Sequence, residues 1–340
     1  MATNRVLTTT QDKLLAGTVD TVLRANTLTT RVLSGTKKWA GEQMKRSIKV
    51  SKNTTGGSFA GFDNLSTSAT DNRQRLAFDP KFYAINVSLP LDELSINAVS
   101  ETKINDLMAT EMQGAANDAA DDLGTMFYGQ GTGNGSKDYL GLGAIVDDGG
   151  DVATYGGLTR ATFTTLNATD TASGGTLSLL KMRTLYNAIT DGSQAPTLIL
   201  GDNDVFSYYE QLLQPQERIA KDISIMKHGL EGGTGFKMTG LYFAGTPFLA
   251  DRKAISGNMY MLNEDYLDFY ALPVAMNEQI KYKTVIVGND YGQPEGLGFG
   301  FSGWVKSASQ AAITGKIYHG GNLLSFNPRR HGRLTGITGV

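Results

Sequence analysis

The residues able to carry acid–base, nucleophilic or metal chemistry are few and scattered. Three histidines, His228, His319 and His331, stand far apart with no H-x-x-x-H pair, so no local metal-ligand spacing exists and they read as satisfied surface or core residues. The 340 residues include no cysteine, which excludes disulfides, cysteine-ligated zinc, iron–sulfur clusters and thiol catalysis. Neither a G-x-x-x-x-G-K-S/T phosphate loop nor a G-x-S-x-G nucleophile elbow occurs. One G-x-G-x-x-G match, GFGFSG at 298–303, follows Pro294 and precedes Trp304, outside the strand-to-helix setting that dinucleotide binding needs. The acidic pairs Asp121/Asp122 and Asp147/Asp148 offer carboxylates, but adjacent positions do not share a helix face, so both pairs read as solvated. No catalytic residue, metal site or cofactor site is assigned, and the chain is read as a non-enzyme.

Charge is the stronger signal. The formal net charge is −2, yet residues 1–60 carry +7 and residues 303–340 carry +5, leaving −14 between them. Basic ends around an acidic centre suit either a surface facing a polyanion or ends that dock on acidic middles of neighbouring copies. The segment MATNRVLTTTQDK lacks an apolar signal core and no run approaches the length of a membrane span. The expectation is a soluble protein made in a cytoplasm, with no membrane partner.

These charges must be placed by a small set of elements. Residues 10–33 set Leu15, Val19, Val22 and Leu23 at helical spacing, an arm with a short helix. KRSIKVS (45–51) and LAFDPKFYAINVSL (76–89) alternate like strands around some 24 residues rich in Gly, Ser, Thr and Asn, predicting a long two-stranded excursion. Such a hairpin is barely stable alone and wants another surface to lie on. Residues 101–128 carry Ile104, Leu107, Met108, Met112, Ala115, Ala119, Leu123 and Met126 on one stripe, predicting a helix of roughly 40 Å. A glycine-rich link follows, then a helix around 177–190, a buried strand TLILG (197–201), a helix opened by Asp202, and strands within 241–251 and 258–263. The pattern is that of an α+β chain.

In this order, the chain resembles the major capsid proteins of tailed bacteriophages, the Hong Kong 97 fold. The resemblance rests on LPLDELSINAVSETKINDLM, MFYGQGTGNG, GLGAIV, TYGGLTRATF, PTLILGDNDVFSYYE, FAGTPFLAD and NPRRHGRL, in succession from about residue 44. It implies an N-terminal arm (1–43), an extended loop (44–89), a peripheral domain (90–149) with spine helix 101–128, an axial domain (150–280), and a return to the peripheral domain with a basic C-terminus (281–340). It implies self-association into homopentamers and homohexamers and an icosahedral head around double-stranded DNA held by nonspecific contact. Scaffold, portal and decoration proteins are the further partners, and the locations are the virion and, during assembly, the host cytoplasm. An encapsulin-like compartment shell is the alternative.

The resemblance also directs attention to inter-subunit residues. Lys45, Arg46, Lys49, Lys52, Arg73 and Arg75 on the loop are expected to meet Asp118, Asp121 and Asp122 on a neighbour's spine, with Phe59, Phe62 and Leu65 buried at or near the tip. The fold's founding member joins a loop lysine to a neighbour's asparagine, for which Lys52 with Asn322 or Asn327 are the candidates here. No acid follows Glu295 to take the proton, so no crosslink is expected.

Overall fold

In a computed structural model of the chain, the described residues are 27–97, 101–213, 241–272, 299–301, 303–307 and 309–340. The start of the predicted arm helix, His228, Pro294 and Glu295 lie outside them; of the arm, Thr27–Ser34 forms a helix, α1.

Two sheets organise the fold. The first is built on one long strand, β15 (Ala312–Ser325). Along one edge it pairs antiparallel with β4 (Lys81–Pro90), from Ala312 opposite Pro90 to Gly321 opposite Lys81. Its other edge takes β12 (Leu267–Ala271), β13 (Phe299–Phe301) and β14 (Val305–Lys306), and β1 (Lys37–Lys38) extends the sheet beyond β12. On β4, Val87 and Leu89 are buried while Phe82, Ala84, Asn86 and Ser88 are exposed, the period of two of a half-buried strand.

The buried face is covered by the spine helix, α3 (Glu101–Met126), which follows a short helix, α2 (Leu91–Asn97). Ala115, Ala116 and Leu123 pack against Val87 and Ile317, and Ala119 and Ala120 are also buried, so small side chains let the helix lie close to the sheet. Met112 and Met126 are half-buried, and the side chains of Ile104, Leu107 and Met108 lie outside the described ones. After α3 the glycine-rich chain tucks under the helix end. Leu142 N–H donates to the Phe127 carbonyl (2.7 Å), and a Cβ at Gly141 would strike the carbonyl oxygens of Met126, Phe127 and Gly129.

The second sheet runs β7 (Thr169–Thr176), β16 (Gly332–Gly339), β11 (Met259–Leu262), β8 (Leu198–Gly201), β10 (Thr246–Ala250) and β9 (Leu241–Phe243). Helix α4 (Leu179–Ile189) starts where the Ser178 hydroxyl accepts from Lys181 N–H, and α5 (Asn203–Leu213) where Asp202 Oδ1 accepts from Val205 N–H at 3.0 Å. Met182, Leu185 and Ile189 of α4 share one core with Ile199, Phe248 and Met261 of the sheet.

One expectation changes. The returning strand of the excursion is β3 (Arg73–Phe78), paired with β2 (Met44–Lys49), whereas residues 81–90 leave the hairpin for the first sheet. Pro80 has no N–H to give a ladder, and the chain changes sheet there. Strand β12 joins the first sheet and the C-terminal β16 joins the second. Sheet membership is set by pairing with partners distant in sequence, which local pattern does not encode. GFGFSG, read as lying outside a strand-to-helix setting, contributes Phe299–Phe301 to an antiparallel pair with Ile317–His319 and leads to β14.

Candidate inter-subunit surface

The β2–β3 ribbon has two chemically distinct faces. Antiparallel register puts Met44 opposite Phe78, Arg46 opposite Leu76 and Ile48 opposite Gln74 on one face. Leu76 and Phe78 are buried in the main core, with Met44 and Ile48 packed against them. The other face carries Lys45, Ser47 and Lys49 opposite Ala77, Arg75 and Arg73, so four cations share it with no acid on either strand. All four cations are exposed. Arg46, expected among them, lies on the core-facing side with its guanidinium 4.7 Å from the centre of the Phe326 ring. It is nonetheless exposed.

Beyond the ribbon, residues 50–72 carry Lys52, Phe59, Phe62 and Leu65, all exposed. Phe62 is fully exposed, whereas an aromatic side chain in a finished structure normally buries most of its surface.

The spine acids Asp118, Asp121 and Asp122 are exposed on α3. Asp121 accepts from Lys253 Nζ at 2.6 Å, and Asp122 from the Tyr83 hydroxyl at 2.6 Å. Burial and then the Asp122 carboxylate push the Tyr83 phenol up, so it stays protonated and donates. Within one copy, then, the ribbon cations and spine acids are not paired with each other.

The second acidic pair behaves otherwise. Asp147 is fully buried, contrary to the solvated reading, and accepts from the backbone N–H of Gly149 (2.9 Å) and Val152 (3.0 Å). Buried Arg160 pairs with it at 3.2 Å, and Arg333 of β16 ties Asp147 (3.4 Å), Asp151 (2.8 Å) and Asp170 (2.5 Å) together. Burial pulls both guanidiniums down. At Arg333 the Asp170 and Asp151 carboxylates outweigh that and hold it above its usual value. Carboxylate oxygens of Asp147, Asp148 and Asp170 lie within 4.8 Å of one another, and the guanidiniums of Arg160 and Arg333 supply part of the countercharge. Arg333 is therefore an internal tie and not one of the basic C-terminal groups free to meet a polyanion.

Two histidines sit in the core. His319 Nδ1 is 2.8 Å from the Tyr139 hydroxyl, and its ring stacks on Phe269. His331 accepts at Nδ1 from Asn263 N–H (3.3 Å), which makes Nε2 the protonated nitrogen facing Ser325 Oγ at 3.0 Å. Complete burial lowers its pKa to about 3. Asn322 is also buried: its Oδ1 accepts from Leu140 N–H (2.9 Å) and Leu323 N–H (3.0 Å), and its amide donates to the Asp79 carbonyl (3.0 Å). An amide so engaged is not presented to a neighbour's lysine.

The remaining surface chemistry is ionic and apolar, and the architecture around it has counterparts among solved structures. The fold is similar to a chain of the cyanophage A-1(L) capsid asymmetric unit, with a TM-score of 0.70 and 14% identity over 92% of each chain. The chain has the Hong Kong 97 capsid fold. The same fold appears in the capsid of a native GTA particle (TM-score 0.54, 11% identity, 91% of each chain). It also appears in the SrpI encapsulin complex from Synechococcus elongatus PCC 7942 (TM-score 0.53, 9% identity, 88% of this chain and 84% of that one). No protein-family model and no curated protein matches the chain by sequence. In this Hong Kong 97 chain the ribbon is fixed to the core by one face and offers the other outward, an arrangement no sequence motif announced. The signal was available in the alternation of KRSIK and RQRLAF, which puts every second side chain on one face.

Proposed function

We propose that the chain is a major capsid protein that self-assembles through pentamers and hexamers into an icosahedral shell enclosing phage double-stranded DNA. The observation that carries the reading is capsid architecture over nine-tenths of the chain, matched at a TM-score of 0.70. A cationic ribbon and an apolar tip, both uncovered within one copy, support it. Contacts in such a shell can each be weak, because closed symmetry repeats them. In the proposed contact, Lys45, Lys49, Arg73 and Arg75 of one copy face Asp118, Asp121 and Asp122 of the next. No catalytic step is assigned to the chain.

DNA would be held by phosphate contact without base readout, and its affinity would fall steeply with salt. Scaffold, portal and decoration proteins, assembly in the host cytoplasm and residence in the virion belong to the same proposal. Negative-stain microscopy with sedimentation of the protein expressed alone and with its neighbouring structural genes is the test. Closed shells or rings of five and six support the reading, and monomer under every condition overturns it. The encapsulin alternative, favoured by the similarity to SrpI, predicts protein cargo inside the shell in place of nucleic acid.

A further inference from the structure

A recess of about 500 Å³ opens beneath α1, floored by Leu28, Val32, Leu198 and Leu267. Its rim holds Arg31 in a two-pronged pair with Glu264 (2.7 and 2.9 Å), Lys37 paired with Asp268 (2.7 Å), and the exposed Asp265. Three rim carboxylates against two cations leave one negative charge in excess. An apolar floor at an open mouth fits an aromatic side chain.

The chain carries such a group on the loop. Asn53 Oδ1 accepts from Thr55 N–H (3.0 Å), Thr55 Oγ1 (2.7 Å) and Thr70 Oγ1 (3.2 Å), stitching together two arms 17 residues apart. At the tip, Asp63 Oδ2 accepts from Ala60 N–H (2.9 Å) and Asp63 N–H donates to the Ala60 carbonyl (3.2 Å). Gly61, at φ 56°, supplies the left-handed residue that closes this turn. Phe62 is thus presented on a preformed turn. Preorganisation lowers the ordering cost of docking, which is where an aromatic anchor gains most.

Reach and continuity fit as well. The core joins Leu28 and Val32 of α1 to Phe127 and Tyr128, just past the end of α3, so the recess lies beside the end of the spine. Tyr128 follows Asp118 by ten residues, about 15 Å along a helix. From Arg73 to Phe62 is eleven residues of chain, up to about 36 Å when extended. A ribbon lying on the spine acids can therefore reach the recess of the same neighbour.

We propose that Phe62 of one copy seats in the recess beneath α1 of a second copy, an inference that rests on the shell reading above. Because the chain has no cysteine, Ser34→Cys at the recess mouth and Ser58→Cys near the tip can be introduced together with Phe62 intact. A short bis-maleimide added to assembled shells should give a ladder of linked subunits on a denaturing gel. Ser58→Cys with Thr184→Cys, on exposed α4, should give none. Shells that yield no ladder from the first pair, or equal ladders from both, overturn the seat. Independently, Phe62→Ala and Ser34→Trp, which removes the anchor or blocks the mouth, should each abolish shells while leaving subunit melting unchanged. Intact shells from either variant overturn the proposal. Failure of the shell reading is distinguishable, because the unmodified protein would then form no shells.

Discussion

Lys49 stands directly opposite Arg73 across the β2–β3 ribbon. Like charges in that position repel by roughly 0.2–1 kcal/mol, and within one copy neither strand offers an acid to relieve it. Lys49→Glu should therefore raise the stability of the unassembled subunit, by up to about 1 kcal/mol, while reducing shell yield. Thermal melting and sedimentation of the same samples read the two opposite effects.

If the acids of a neighbouring spine are the missing counterions, Asp118→Lys should lower assembly, and combining it with Lys49→Glu should restore part of the yield. Assembly of the unmodified protein should weaken as salt rises, since the charges are exposed. Restoration absent from the double variant, with both singles impaired, would separate these residues as independent contacts.

His331 predicts a pH dependence. Its folded pKa of about 3 lies below the ordinary histidine value, so the unfolded chain takes up a proton that the folded chain refuses. The stabilisation is complete above pH 6.5 and declines as pH falls towards and through about 3. His331→Gln should flatten that decline by on the order of a few kcal/mol. Urea unfolding of unassembled subunits at neutral and acidic pH measures the difference.

Arg333→Met should be among the most damaging single substitutions. It removes the guanidinium shared by buried Asp147, partly buried Asp170 and exposed Asp151, leaving Asp147 and Asp170 short of countercharge. The expected loss is about 3–5 kcal/mol, read as a lower urea midpoint.

Asn322 spends its side chain on three internal hydrogen bonds. Mature particles boiled in detergent should therefore run as single subunits, and Lys52→Arg should leave that pattern unchanged. Covalent multimers that vanish in the Lys52 variant would require a different amide acceptor.

The alternation of KRSIK, the run of small and apolar residues along α3, and the helix start at Asp202 were legible in the sequence. Each depends on residues a few positions apart, where backbone period and local hydrogen bonding fix the outcome. Tertiary structure alone decided the rest. Asp147 reads like its neighbour Asp148 until Arg160 and Arg333, 13 and 186 residues away, close over it. Arg333 reads as a free basic group until β16 pairs with β7 and brings it to Asp170. Asn322 reads as an available amide until the backbone carbonyl of Asp79, 243 residues earlier, accepts a hydrogen bond from its side-chain N–H. Burial and pairing of a charge depend on which distant segments meet, and that meeting is settled by the packing of the two sheets, not by any local pattern.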